Sequence, residues 1–200
     1  MLNEPTHAVL GQIIGLTEVG LERELFARSA DLERAAWHTQ AIHDSLTGLY
    51  NRVSLTESFS QLMAFDDQNG LPRIAAMMMI DIDHFRDVND VYGKPVGDRI
   101  LQHVASSILA SVRPSDLAFH FGGEEFLVLL NNVDFTRAMT AAERIRASVA
   151  GGDDELPKVT SSMDVALRHA GESQETLITR ADLALYESKR EGRNRISVAK

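Results

Sequence analysis

Cysteine is missing altogether from these 200 residues, which excludes disulfides, thiolate metal sites and thiol nucleophiles. Its absence fits a reducing compartment. Long hydrophobic runs are lacking too: no stretch approaches the roughly eighteen apolar residues of a membrane span, so no membrane association is expected. Met1-Leu2-Asn3-Glu4 lacks the basic start of a signal peptide, which makes a soluble cytoplasmic protein the expectation. Positive charge is in short supply, with 20 Lys and Arg against 29 Asp and Glu and a formal net charge of −9. That balance argues against broad nucleic-acid binding, which needs a basic face. A phosphate ligand would have to be met by a local cluster of cations or by a metal ion. Gly93-Lys94-Pro95-Val96-Gly97 lacks both the spacing and the Lys-Ser/Thr ending of a P-loop, and no histidine pair has zinc-ligand spacing. What is present is ordinary for a globular chain: 44% hydrophobic and 24% charged residues, enough for one domain with an extension.

Residues 5–46 read as one long helix. Leu21, Leu25, Leu32, Ala35, Ile42 and Leu46 follow a heptad seam, broken at Arg28 and Thr39, and Leu10, Ile14 and Thr17 join it only through a stutter. Such a stripe suits a helix–helix dimer or a partner-docking surface. Residues 1–43 are therefore expected to be a helical stalk and residues 44–200 the main domain. A polar turn over Asp44–Arg52 leads into a helix holding Leu55, Phe59, Leu62 and Met63, and Asp66–Pro72 reads as a loop. Ile74–Ile80 reads as a buried strand ending in Asp81-Ile82-Asp83. A short helix follows over residues 84–91, stopped by Tyr92–Gly97, and Asp98 is placed to open the next helix. Later segments alternate: a helix over 136–150, a strand over 159–167 interrupted by Asp164, a helix over 175–190 and a last strand at 196–198. The order is mixed α/β with an antiparallel hairpin inside it.

That hairpin is the centre of the reading. Leu117–Phe121 alternates like a half-buried strand, Phe126–Leu130 is continuously apolar, and Gly122-Gly123 supplies the positive φ angles of a tight turn. Glu124 and Glu125 then stand at its tip, where successive residues point to opposite faces. Asp81, fixed at the end of an apolar strand, could join Glu124 in a site of hard oxygen ligands suited to Mg²⁺. An EF-hand is excluded, because Phe85 and Arg86 stand where a ligand and the required glycine belong. Lys189 and Arg193 are the visible phosphate candidates, or else a basic helix end that suits the helix dipole.

Taken together, Gly122-Gly123-Glu124-Glu125-Phe126, the Asp44–Arg52 segment, Asp81–Phe85 with Asn89-Asp90, Gly93, Gly97-Asp98, Ala181–Tyr186, Lys189 and Gly192–Arg195 resemble the GGDEF family of diguanylate cyclases over residues 44 to about 198. The resemblance implies an α/β (α+β) palm-like domain, with a central, mostly antiparallel sheet flanked by helices and a long N-terminal helix before it. It implies condensation of two GTP into cyclic di-GMP and two pyrophosphates. Asp81, the Ile82 carbonyl and Glu124 would hold Mg²⁺, with Mn²⁺ as the alternative. Asn89 and Asp98 would read the guanine edge in a pocket that includes Phe85. Lys189 and Arg193 would hold the β- and γ-phosphates beside Gly122 and Gly123, and Glu125 would assist deprotonation of the 3′-hydroxyl. One GTP per domain implies a homodimer, which gives the stalk a role, as would a regulatory protein docked there.

Arg113-Pro114-Ser115-Asp116 lies at the offset of the family's RxxD inhibitory site, with Arg144 as its added arginine. Guanidinium stacks on guanine and pairs with phosphate, so the residue types fit cyclic di-GMP as an inhibitor. Three positions depart from the pattern: His120 replaces the usual Arg, Lys94 the usual His, and Asp164 the usual Gly. The alternative function is a non-catalytic GTP- or cyclic di-GMP-binding module acting through a protein partner. The full acidic set favours the enzyme.

Overall fold

Ile74–Ile82 is apolar at almost every position, and only a strand covered on both faces can hide such a run. In the computed structural model, which describes residues 42–69 and 74–200, it is an inner strand of a six-stranded mixed sheet. The strands are β1 (Tyr50–Asn51), β2 (Ile74–Ile82), β3 (Leu117–Gly122), β4 (Glu125–Asn131), β5 (Ser161–Leu167) and β6 (Ile196–Val198). The helices are α1 (Arg52–Asn69), α2 (Phe85–Tyr92), α3 (Lys94–Ser111), α4 (Phe135–Gly151) and α5 (Gln174–Arg190). Strand order is β1-β3-β4-β2-β5-β6. The four inner strands pair antiparallel, while β1 and β6 join parallel at the edges.

Alternation along β2 and β4 divides the core in two. Met78, Ile80, Phe126 and Val128 meet Val104 and Ile108 of α3 and Ala142 and Ile145 of α4 on one face. Met77, Met79, Leu127 and Leu129 meet Leu55 and Phe59 of α1 and Leu177, Ala181 and Leu185 of α5 on the other. The three consecutive methionines thus fill both layers, as flexible side chains can. The result is the α/β sheet flanked by helices that the sequence predicts.

Several boundaries differ from the sequence reading. The proposed stalk, with its seam from Leu10 to Thr39, lies outside the described residues except at its end. There the long helix does not continue to Leu46. Asp44 accepts bonds from the Thr47 amide and hydroxyl, Gly48 takes φ 73°, and Leu46 packs on the sheet core. Such local side-chain bonds compete with helix. Helix α1 runs through Asp66–Asn69, expected as loop, since neither Gly nor Pro interrupts it before Gly70. Helix α3 opens at Lys94 rather than Asp98, with Pro95 in its first turn. Proline there forfeits only an amide that has no intrahelical partner. Asp98 is therefore an exposed residue inside the helix and not its cap. β5 starts at Ser161 and runs unbroken through Asp164.

Candidate active site

The hairpin between β3 and β4 turns on Gly123-Glu124 rather than Gly122-Gly123, because Gly122 pairs with Glu125 across the ladder. Gly123 has φ 57°, a conformation glycine adopts without steric cost. Glu124 sits in the turn and Glu125 begins β4, directly across from Asp81 of β2. Glu124 is also tied to β2 through its carbonyl, which accepts the Ile82 amide at 3.2 Å. The fold therefore gathers three carboxylates at the sheet end: an opposed pair and a third in the adjoining turn.

Burial sets their chemistry. Asp81 is only 4% exposed, and desolvation raises its carboxyl above the usual range against the opposing pull of Lys189. Lys189 places Nζ 2.7 Å from Asp81 Oδ2. Glu124 and Glu125 are raised as well, first by burial and then by the charge of Asp81, with Lys189 again opposing. Asp182 of α5 adds to the repulsion on Glu125. Arg193 pulls the other way on Asp81. Among the described residues neither Glu124 nor Glu125 has an ion-pair partner. A half-buried group of carboxylates opposed by Lys189 and Arg193 offers hard oxygen donors, the donor type that suits a divalent cation.

The proposed guanine residues lie where α2 meets α3. Half-buried Asn89 and exposed Asp98 have side chains with no hydrogen-bond partner among the described residues. Gly97 is what allows this arrangement. A methyl group there would collide with Asn89 Oδ1 and come within 3.2 Å of Phe85 Cζ. Phe85 itself is buried in the α3–α4 layer.

Two supporting features escape a reading by motif. Asp83 is 5% exposed and accepts from Thr160 Oγ1 and Ser162 Oγ, each at 2.6 Å, and from the Asn194 amide at 3.0 Å. Its place two residues after Asp81 is the only signal the sequence offers. His120 lies between the turn at Asp44 and the hairpin tip. Its Nδ1 is 3.0 Å from Asp44 Oδ1 and its Nε2 is 3.2 Å from the Gly123 carbonyl. Both partners offer an oxygen to the ring, so His120 links the Asp44 turn to the hairpin tip. Asp44 lies below the usual carboxylate range, the hydrogen bonds from Thr47 and His120 outweighing its burial.

Away from this end of the sheet, Arg113, Asp116 and Arg144 line one cavity of about 140 Å³, together with Arg137. Asp116 is engaged with the fold: its oxygens accept the amides of Arg113 and Asn131. Arg144 donates to the Ser111 carbonyl.

Comparison with known proteins identifies the family and the fold. The family model described as "Diguanylate cyclase, GGDEF domain" matches residues 41–195. Diguanylate cyclase A of Treponema denticola is 45% identical over 130 residues, covering 62% of this chain and 35% of that protein. The structure of the coiled coil and GGDEF domain of DgcB from Caulobacter crescentus, in complex with c-di-GMP, superposes with a TM-score of 0.77 at 32% identity, covering 90% of this chain and 99% of that one. The diguanylate cyclase SiaD of Pseudomonas aeruginosa, solved with its activator SiaC, gives a TM-score of 0.76 at 32% identity, covering 98% and 75%. The chain spans about a third of the length of the curated relatives it matches.

Proposed function

Because the chain belongs to the GGDEF family, we propose that it is a diguanylate cyclase that joins two GTP molecules into cyclic di-GMP and releases two pyrophosphates. The observation that carries this reading is the opposed Asp81–Glu125 pair, with Glu124 in the adjoining turn and Lys189 2.7 Å from Asp81. Asp81, the Ile82 carbonyl and Glu124 would hold a divalent cation, Mg²⁺ or alternatively Mn²⁺. A cation bound there would supply Lewis-acid polarisation of phosphoryl oxygen and a lower pKa for the attacking hydroxyl. Lys189 and Arg193 bind the β- and γ-phosphates and neutralise the departing pyrophosphate. Asn89 and Asp98 read the guanine edge, with the Asp98 carboxylate accepting hydrogen bonds from it. A carboxylate suits guanine's ring N–H and exocyclic amine, a donor pair adenine lacks, so ATP is rejected. Glu125 takes the 3′-hydroxyl proton. The 3′-oxygen then bonds to the α-phosphorus of the facing GTP as its α–β bridge breaks, and a second such step closes the ring.

Each domain binds one GTP, so two copies must face each other, and residues 1–43 serve that pairing or dock a regulatory protein. The likeness to SiaD, which has an activator bound, supports the second role. Cyclic di-GMP feeds back at Arg113, Asp116 and Arg144, and use of GTP is consistent with a cytoplasmic reaction.

The test is incubation of purified protein with GTP and Mg²⁺, with product identified by chromatography and mass. Glu124→Gln and Asp81→Asn should each lower the rate about 10²- to 10³-fold, the usual cost of one lost transition-state stabiliser. Turnover like wild type in both variants would remove the carboxylate site.

A further inference from the structure

We infer that Asp83 is a positioning residue for the triphosphate, acting by clamping the turn that presents Arg193; this rests on the nucleotide reading above. Asp83 cannot act on a ligand directly. It is 5% exposed, and its two oxygens already accept two hydroxyls and one amide. Its influence passes through the amide, which belongs to Asn194. Arg193 and Asn194 have φ of 61° and 46°, two consecutive non-glycine residues in the left-handed region. A side chain makes that conformation costly, so it persists only where neighbours impose it.

The restraints around this turn are specific. The Arg193 amide donates to the Ser188 carbonyl at the end of α5, and the Met163 amide donates to the Arg195 carbonyl. Arg146 Nη1 of α4 reaches Asn194 Oδ1 at 2.6 Å. Asp83 supplies the charged member of the set, and it follows Asp81 by two residues. One tripeptide, Asp81-Ile82-Asp83, thereby carries two of the three proposed metal ligands and the anchor of the phosphate-binding turn. Removing the Asp83 charge frees the Asn194 amide and lets residues 193–194 relax toward right-handed φ. The Arg193 side chain then leaves the backbone in a different direction. The guanine contacts at Asn89 and Asp98 stand on α2 and α3 and are untouched.

Calorimetric titration of the full chain with Mg²⁺ and 3′-deoxy-GTP, which lacks the attacking hydroxyl, reads this without turnover; GMP is the control. Asp83→Asn keeps the size but turns an amide toward donors. It should weaken 3′-deoxy-GTP about tenfold, as expected for loss of one charge-assisted contact, and leave GMP unchanged. Arg193→Ala should do the same, and the double variant should lose no more than either single one. Equal losses for both nucleotides, or losses that add, would overturn the proposal and leave Asp83 a general support of the fold. Should Asp83→Asn fail to fold, Arg146→Ala loosens the same turn from the surface and must shift 3′-deoxy-GTP but not GMP. Failure of the wild-type protein to bind either nucleotide would instead strike at the cyclase reading, and the role of Asp83 would fall with it.

Discussion

Gly97 carries no chemistry, yet the proposed guanine pocket depends on its lack of a side chain. The neighbouring helices approach so closely that a methyl group would strike the Asn89 amide oxygen. Gly97→Ala should therefore raise the KM for GTP about tenfold, with a smaller effect on kcat, if Asn89 binds substrate as proposed. Steady-state kinetics checks this, and an unchanged KM would detach Asn89 from the substrate. Asp164 is the other telling residue. It is fully buried on β5, accepts the Met79 amide at 2.7 Å through one oxygen and leaves the other unpartnered among the described residues. Burial holds its carboxyl well above the usual range, reinforced by Asp182 and opposed by the Met79 amide and Arg180. A raised folded pKa means the unfolded chain releases this proton first. The penalty on stability thus begins above the ordinary aspartate range and grows until the folded group ionises. Asp164→Asn should be more stable than wild type at pH 8 in urea denaturation, with the gain shrinking toward pH 4. A constant difference across that range would show that its charge is not at issue.

Among the elements, those the sequence made legible were built on period. The β2 run and the continuously apolar β4 are buried as their patterns predict. The starts and ends were harder, because they turn on bonds a pattern does not display. The Lys94-Pro95 start of α3 and the Asp44–Thr47 turn are cases. The acidic cluster was readable as residue types, but the facing of Asp81 and Glu125 depends on strand register, and Asp83 on a partner 111 positions away. The cavity between the end of α3 and α4 belongs to this scale as well. It brings Arg144 of α4 to the Arg113–Asp116 turn and adds Arg137. Arg113→Ala should weaken inhibition by cyclic di-GMP at least tenfold while initial rates change little, because the cavity lies apart from the carboxylates. Inhibition curves coinciding with wild type would reduce the arginines to a solvated surface.

For the whole molecule, the proposed chemistry needs two GTP-loaded domains in opposition, and a chain of net charge −9 has no evident attraction for its twin. Deletion of residues 1–41 should leave a folded, GTP-binding monomer with much lower specific activity, partly recovered at high protein concentration. Full activity in a truncated protein shown by sedimentation to be monomeric would end the assembly role. The described domain holds one further lesson, in the ring of His120. An imidazole has two rotatable bonds where the arginine usual at this position has four, and it grips the backbone on one side and a carboxylate on the other. A short, stiff strut transmits displacement where a long one absorbs it. The peptide at Asp44 is thereby coupled through one ring to the residue before Glu124.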